Sequence, residues 1–131
     1  MIMGENLKNR PQELTKAELE IMQIIWKKEK VLVHDILAEF PEPKPAYNTV
    51  STIVRILENK GFVSHKAYGR TYEYFPAVAK EDYTNSYMKN VLNNFFDGSV
   101  SRMVNFFSAQ KSISLEETDE ILKILNGGSG A

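Results

Sequence analysis

Apolar residues at helical spacing predict three helices in the first half of the chain. The first begins at a capping-box pattern formed by Thr15 and Glu18, which can satisfy the free backbone N–H groups of a helix start. A second helix is predicted over residues 33–40, where a proline-rich loop stops it because proline cannot continue a helix. The third is predicted over residues 46–59 and ends before Gly61, since glycine suits the left-handed backbone that follows a helix.

Aromatic and β-branched residues after the third helix predict a β-hairpin. Its two strands flank a turn that contains Gly69, and Pro76 ends the second strand. A short apolar segment, residues 31–33, is predicted to make a single strand pairing. Three helices followed by a two-stranded hairpin, in this order, predict a winged helix-turn-helix domain over residues 10–78.

The remainder of the chain is predicted to be helical. A break at Asp97–Gly98 and a second capping-box pattern that begins at Ser114 divide its apolar residues into three helical segments. The predicted fold is therefore mainly α: an N-terminal winged helix-turn-helix with a two-stranded wing, then a helical C-terminal dimerisation region over residues 79–126. Residues 127–131 are predicted to form a flexible tail.

The third predicted helix has two opposed faces. At about 100° per residue, Val50, Val54 and Leu57 fall on one side of the helix and form an apolar stripe. Short polar side chains and one arginine occupy the other side and its edge: Asn48, Thr49, Ser51, Thr52 and Arg55. Such side chains let a helix approach base edges in the DNA major groove and hydrogen-bond to them. A solvated face without a partner explains the same residues, so this pattern alone leaves both interpretations open.

The charge distribution favours the DNA-binding interpretation. The whole chain carries a net charge of -1, but residues 44–72 contain five basic residues and one acidic residue, a net charge of +4. Lys66 and Arg70 flank the tip of the predicted hairpin, where they can reach DNA phosphates. Residues 80–131 carry a net charge of -2, so positive charge is concentrated around the third helix and the hairpin.

Other classes of function find little support in the sequence. The chain has no cysteine, and His34 and His65 show no metal-ligand spacing, so no metal site and no cofactor are predicted. No nucleophile–base arrangement or glycine-rich phosphate loop indicates catalytic residues, so we expect no enzymatic activity. The sequence has no apolar run of membrane-spanning length and no signal-peptide pattern, which predicts a cytoplasmic protein without membrane insertion.

Three sequence motifs resemble those of one repressor family. They are "LTKAELEIMQIIW" in the first helix, "TVSTIVRILENKGFV" in and after the third helix, and "GRTYEYFP" in the hairpin. Together they resemble the penicillinase-repressor (BlaI/MecI type) family over about residues 14–127. The resemblance implies a homodimeric transcriptional repressor that binds a pseudo-palindromic operator in double-stranded DNA, with the third helix in the major groove. Asn48 and Ser51 differ from the better-known members, so the resemblance does not give the operator sequence.

The resemblance also assigns residues to DNA binding and to dimerisation. By position, the DNA contacts are Asn48, Thr49, Ser51, Thr52, Arg55, Lys66 and Arg70. The C-terminal helices would form the dimer, because their apolar side chains would otherwise be exposed on a small appendage. The candidate dimerisation residues are Tyr87, Val91, Phe95, Val104, Phe107, Ile121, Leu122 and Leu125. The alternative is that this region packs only against its own domain.

A mode of regulation is implied by the same resemblance. In the family, a membrane sensor protease leads to repressor cleavage at an Asn–Phe bond, which corresponds here to Asn105–Phe106. The cut would sever the last helix, weaken the dimer and release the operator. Phe106 is explained equally well as a core residue. Two other functions stay open: a winged-helix module that binds a protein, and a repressor induced by a small ligand among the C-terminal aromatic residues.

Overall fold

The computed structural model describes residues 13–110 and 114–127, and for residues 125–127 it describes the backbone alone. Over these residues the chain forms six helices and one two-stranded antiparallel sheet. In chain order they are α1 (Lys16–Lys28), α2 (Val33–Ala38), α3 (Tyr47–Asn59), β1 (Val63–Tyr68), β2 (Thr71–Pro76), α4 (Lys80–Phe95), α5 (Val100–Ala109) and α6 (Leu115–Gly127). The predicted mainly α fold with a two-stranded wing is confirmed. The predicted tail, apart from Gly127, lies outside the described residues.

The chain forms two compact units, and each is described by itself. They divide between Thr84 and Asn85, within α4. The first unit contains α1, α2, α3 and the β1–β2 hairpin, which we call the wing. The second contains most of α4 together with α5 and α6. The domain boundary inferred from the sequence, between residues 78 and 79, stays a prediction.

Helix α1 begins and packs as its sequence predicts. The Thr15 hydroxyl accepts a hydrogen bond from the Glu18 N–H at 3.2 Å, and the Glu18 carboxylate accepts one from the Thr15 N–H at 2.9 Å. This reciprocal pair is the predicted capping box. The helix then buries Ile21, Met22 and Ile25 in the core of the first unit.

Helix α2 starts without a polar cap and is shorter than predicted. Leu32 occupies the cap position, and the Asp35 carboxylate accepts a hydrogen bond from its N–H at 2.9 Å. The helix ends at Ala38 rather than at Phe40. The Lys44 ammonium donates hydrogen bonds to the carbonyl oxygens at this end, including that of Phe40 at 2.6 Å. A side chain from the following loop therefore satisfies carbonyls that a longer helix would have used.

Helix α3 ends in a turn that depends on glycine. Gly61 adopts a positive φ of 88°, and its N–H donates a hydrogen bond to the Glu58 carbonyl at 3.0 Å. The N–H of Phe62 donates to the Leu57 carbonyl at 2.9 Å, which completes the two-bond pattern of a Schellman motif. Phe62 is buried, so the chain passes from α3 through the core directly into β1.

The wing is the predicted hairpin, and it is bonded to the helical layer. Its strands pair in antiparallel register with His65 opposite Tyr74, and Gly69 takes a positive φ of 62° in the turn. Val31 and Tyr74 exchange two backbone hydrogen bonds of 2.9 and 2.7 Å. This bridge confirms the single strand pairing predicted for residues 31–33, and it ties the wing to the segment between α1 and α2.

Aromatic contacts secure the chain that follows the wing. The buried Tyr83 hydroxyl accepts a hydrogen bond from the Leu14 N–H at 2.9 Å. The Tyr83 ring centroid lies 5.6 Å from that of Phe62 and 6.0 Å from that of Trp26. The Trp26 indole N–H donates to the Val78 carbonyl at 2.8 Å. The first turn of α4 thus belongs to the core of the first unit.

The second unit contains the predicted C-terminal helix starts. The Ser99 hydroxyl accepts a hydrogen bond from the Arg102 N–H at 3.1 Å at the start of α5. At the start of α6 the Ser114 hydroxyl accepts from the Glu117 N–H at 3.0 Å, and the Glu117 carboxylate accepts from the Ser114 N–H at 3.1 Å. These bonds confirm both helix starts that the sequence indicated.

A partly buried ion pair joins α1 to the end of α3. The Lys60 ammonium lies 2.8 and 3.0 Å from the two carboxylate oxygens of Glu18, whose side chain is only 7% exposed. Burial raises the pKa of Glu18, but hydrogen bonds from Lys60 and Thr15 outweigh it and leave the pKa below its usual value. Lys60 is one of the five basic residues of residues 44–72, and this pairing neutralises it.

We expect Glu18→Gln to destabilise the first unit by about 1–3 kcal/mol, because the variant keeps the side-chain shape but loses the hydrogen-bonded charge. The fluorescence of Trp26, the one tryptophan of the chain, follows unfolding of this unit. Because the folded pKa of Glu18 is lowered, its contribution is present above the ordinary pKa of the unfolded carboxyl and is lost as the pH falls through the folded pKa. Acidification should therefore destabilise the wild type more than the variant.

Glu39→Gln is the matched control for this prediction. Glu39 forms ion pairs with Lys27 and Lys28, both 3.3 Å long and more exposed than the pair at Glu18. The control should lower the melting temperature far less, because exposed pairs contribute little to stability. Equal losses in the two variants would contradict the role assigned to the buried pair.

Candidate nucleic-acid interface

Helix α3 presents the predicted polar residues on the surface of the first unit. Asn48, Thr49, Thr52 and Arg55 are exposed, and Ser51 is half-buried beside them. We call these five residues the α3 ridge. The opposite stripe is buried against α1 and α2, so packing holds the ridge outward. The two opposed faces inferred from the helical spacing are therefore both present.

An open groove of about 420 Å³ lies between the α3 ridge, the start of α2 and the wing. Its walls combine aromatic, hydroxyl and basic side chains, and every one belongs to the first unit. The lining residues are Leu32, Val33, His34, Tyr47, Ser51, Arg55, Arg70, Thr71, Tyr72 and Tyr74. We call this cavity the wing groove. It brings Arg70 of the wing together with Ser51 and Arg55 of the ridge.

Lys66 does not line the wing groove. Its ammonium lies 5.4 Å from the ring centroid of Tyr68, which is two positions further along β1 and hence on the same face of the wing. The groove-lining Tyr72 and Tyr74 pair with Ala67 and His65, which alternate with Lys66 and Tyr68 along β1, so both tyrosines belong to the opposite face. Of the two basic residues predicted on the wing, the structure places only Arg70 in this groove.

Two arginines supply the positive charge of the groove. Arg55 and Arg70 are exposed, and neither forms an ion pair with another described residue. The other basic residues near α3 have local roles, since Lys60 pairs with Glu18 and Lys44 binds carbonyls at the end of α2. Of the basic residues that the sequence places around α3, Arg55 and Arg70 are therefore the two that supply positive charge to the groove.

A carboxylate–imidazole contact joins the end of α3 to the wing. Glu58 Oε2 lies 2.6 Å from His65 Nδ1, and the imidazole stacks on Tyr72 with 4.2 Å between ring centroids. Glu58 is the one acidic residue of residues 44–72, and this contact turns it toward β1. His65 also supports the Tyr72 ring that forms one wall of the groove. Side chains as well as backbone thus fix the wing relative to α3.

The buried Tyr74 lies at the base of the groove. Burial raises the pKa of Tyr74, and the nearby Glu58 carboxylate adds to the effect. Arg55 acts in the opposite direction without cancelling it. The phenol is therefore neutral at physiological pH, and it adds no negative charge to a groove that contains two arginines.

The sequence reasoning missed three aromatic residues of this site. His34 and Tyr47 have ring centroids 4.9 Å apart at the starts of α2 and α3, and Tyr72 forms the facing wall. Tyr47 directly precedes the ridge, and strand alternation puts Tyr72 on the same face as Tyr74. These positions could have indicated Tyr47 and Tyr72, but only short polar and charged residues were considered as DNA contacts. No comparable signal in the sequence indicates His34.

The predicted cleavage bond lies inside a helix. Asn105 and Phe106 are both exposed and belong to α5. The Phe106 ring centroid lies 5.7 Å from that of Phe96 and 5.5 Å from that of Phe107. Proteases favour exposed loops, so α5 would have to open locally before this bond could be cut.

Large apolar side chains are exposed on the second unit. Among the predicted dimerisation residues, Phe95 is 76% exposed, and Tyr87 and Phe107 are each 40% exposed. Leu115 and Ile124, which were not in the predicted set, are 79% and 61% exposed. Side chains of this kind, gathered on one small unit, are typical of a surface that binds another protein chain.

The other predicted dimerisation residues are less accessible. Val91, Ile121 and Leu122 are half-buried, and the side chain of Leu125 lies outside the described residues. Val104 is 3% exposed within the second unit, so it has almost no area left for a partner. Its burial explains the apolar spacing that first suggested it, because α5 and α6 pack together in this unit.

The described residues add no metal site to the groove. No group of three or more His, Cys, Asp or Glu side chains among residues 13–110 and 114–127 could hold a metal ion. No helix in the same ranges combines the length and the apolar character needed to cross a membrane.

One protein family and several individual sequences match most of the chain. The family described as Penicillinase repressor matches residues 14–127. The penicillinase repressor of Bacillus licheniformis is 31% identical over 120 residues, covering 91% of this chain and 93% of the relative. The methicillin resistance regulatory protein MecI of Staphylococcus aureus (strain N315) is 29% identical over 119 residues, covering 90% and 97%. The solution structure of the DNA-binding domain of the repressor BlaI aligns with 56% of this chain and 90% of its own, at 29% identity and a TM-score of 0.48.

Proposed function

The chain belongs to the penicillinase repressor family, and we propose that it is a transcriptional repressor that binds operator DNA through the α3 ridge and the wing. The observation that carries this proposal is the α3 ridge itself. Its short side chains project from a helix whose other face is buried, and the groove beside it holds two arginines without ion-pair partners among the described residues. The Bacillus licheniformis relative is a penicillinase repressor, which also argues against an enzymatic role.

Each part of this surface has a distinct task in DNA binding. The major groove admits one helix, and short side chains let the backbone of α3 come close to the bases. Asn48 can hydrogen-bond adenine, Thr49 and Thr52 can contact base edges or a thymine methyl, and Arg55 can bind guanine. Arg70 and Lys66 bind phosphates from the wing, which positions the protein without reading sequence. A protein that binds operator DNA must be in the same compartment as the DNA, so we propose a cytoplasmic location.

Arg55→Ala should weaken binding to the operator by about 10- to 100-fold while changing binding to unrelated duplexes much less, because a base contact carries specificity. Lys66→Ala and Arg70→Ala should weaken binding to all duplexes by similar factors and reduce the salt dependence by about one counterion each. Genome-wide footprinting would supply the operator sequence, and fluorescence anisotropy at several salt concentrations would measure the affinities.

Lys89→Ala is the control for these variants, because it removes an exposed charge from the second unit. This variant should bind the operator and unrelated duplexes with the same affinities as the wild type. A wild-type protein that retains no DNA at low salt would overturn the repressor proposal and favour a winged-helix module that binds protein. An Arg55→Ala variant with full operator specificity would contradict the role given to the ridge.

We further propose that the second unit forms a homodimer. Support comes from Phe95, Leu115 and Ile124, which are each more than half exposed on a unit whose described residues form three short helical segments. A second copy would cover them and set two α3 helices at a fixed separation. Operator sites with two half-sites, spaced by whole turns of about 34 Å, would then match the two-fold symmetry of the dimer.

Phe95→Glu should convert the dimer to a monomer at micromolar concentration, since a buried unpaired carboxylate is costly. Light scattering measures the mass, and a half-site duplex should still bind the variant when the full operator binds it weakly. Asn93→Glu is the matched control, because Asn93 is exposed on the other side of α4 by helical spacing. A wild type that is monomeric at the same concentration, or an unchanged mass for Phe95→Glu, would contradict the proposal.

Regulation by proteolysis is the third element that we propose. Support comes from the exposure of both residues of this bond, since Asn105 and Phe106 lie at the surface of α5. Cleavage there would separate α6 from the rest of the chain and remove apolar dimer surface. The partner implied by the family resemblance is a membrane sensor protease.

Incubation of the repressor with its cognate sensor under inducing conditions should yield one cut between Asn105 and Phe106, which mass spectrometry of the fragments would locate. Loss of operator binding should accompany the cut, because the dimer is weakened. If the operator is released while this bond stays intact, induction works by another route, and a small ligand bound among the C-terminal aromatic residues becomes the explanation.

A further inference from the structure

We propose that the wing groove binds one backbone phosphate of the operator, and that Tyr47, Tyr72 and Arg70 are its ligands. This inference rests on the proposed DNA-binding function and adds two positioning residues to it. It also assigns a chemical occupant to the cavity between α3 and the wing.

The groove is suited to an anion. Arg55 and Arg70 line it, and none of its lining residues is Asp or Glu. The nearby Glu58 carboxylate is held 2.6 Å from His65, outside the set of lining residues. A guanidinium offers several N–H donors in one plane, and this geometry matches the oxygens of a phosphate. Charge and donor geometry therefore favour a phosphate over a neutral or cationic ligand.

Two tyrosines on facing walls carry hydroxyls that the described residues do not satisfy. Tyr47 and Tyr72 are 45% and 47% exposed, and neither hydroxyl has a hydrogen-bond partner within the part of the chain that the structure describes. Each ring is held by a histidine: Tyr47 lies 4.9 Å from His34, and Tyr72 lies 4.2 Å from His65. Rings that are fixed in this way lose little conformational freedom when their hydroxyls donate to a ligand.

The position of the groove favours a phosphate of the DNA backbone over a free anion. Ser51 and Arg55 belong both to the α3 ridge and to the groove wall. When the ridge faces base edges, a flanking sugar–phosphate strand must pass beside α3, where the wing stands. Most hydrogen bonds between proteins and DNA go to phosphate and sugar, and they fix the register of the protein on the duplex. A phosphate held here would set how far α3 enters the major groove.

Tyrosine-to-phenylalanine substitutions in the full-length protein test the proposal. Tyr47→Phe and Tyr72→Phe keep the ring contacts and remove only the hydroxyl, so each should weaken operator and unrelated duplex alike by about 3- to 10-fold. Tyr68→Phe is the matched control. Tyr68 is 53% exposed on the other face of the wing. Removal of its hydroxyl should change the affinity for neither the operator nor an unrelated duplex. Melting curves followed by Trp26 fluorescence verify that all three variants are folded.

A chemical change in the DNA locates the contact. An operator series in which one phosphate at a time is replaced by a neutral methylphosphonate should contain one position that weakens wild-type binding but weakens Tyr47→Phe binding much less, because the two changes remove the same contact. Tyr72→Phe should show the same reduced effect at the same position.

Three results would overturn the proposal. Tyr47→Phe and Tyr72→Phe variants that bind like the wild type, while Arg55→Ala loses operator affinity, would refute the phosphate site and leave the repressor function standing. A wild-type protein that binds no DNA duplex would refute both the phosphate site and the repressor function. If millimolar inorganic phosphate releases DNA from the wild type but not from Tyr47→Phe, and no single methylphosphonate matters, the groove is a site for a free anion.

Discussion

The burial of one stripe of α3 determines what the first unit can present to a partner. Val50, Val54 and Leu57 are at most 1% exposed and pack with the residues of α1 and α2 in a single core. Each such side chain contributes about 1.5–3 kcal/mol when it is fully buried. Turning α3 by one residue, about 100°, would expose this stripe and bury polar side chains instead. The core therefore fixes the direction of the α3 ridge far more strongly than any surface contact could.

The wing groove depends on the same helix through its last turn. The left-handed Gly61 lets the chain reverse, and the buried Phe62 draws it into the core before β1 begins. The Val31–Tyr74 bridge then holds β2 against the helical layer, and the Glu58–His65 contact adds a side-chain connection. The wing thus stands at a defined distance from α3, so the wing groove keeps a fixed position beside the α3 ridge.

Much of this could be predicted from local signals in the sequence. Thr15, Ser99 and Ser114 start helices by hydrogen bonds within four residues, and Gly61 ends one by its backbone conformation, so short segments carry the information. The groove was not predictable in this way, because it joins residues 34, 47, 55, 70 and 72 from four elements or turns. The pairing of Lys60 with Glu18, 42 positions away, likewise changed the charge that a count along the chain had suggested. Val104 had the right spacing for an interface but is buried within the second unit.

We propose that the α3 ridge and the wing groove together form the surface that meets DNA. Backbone amide chemical shifts of the isotope-labelled, full-length protein would test this proposal, because they report every region at once as operator duplex is added. The largest changes should fall at residues 47–55 and 69–72, with smaller changes in the second unit. Changes that concentrate in the second unit, or a spectrum that the operator leaves unaltered, would contradict the claim.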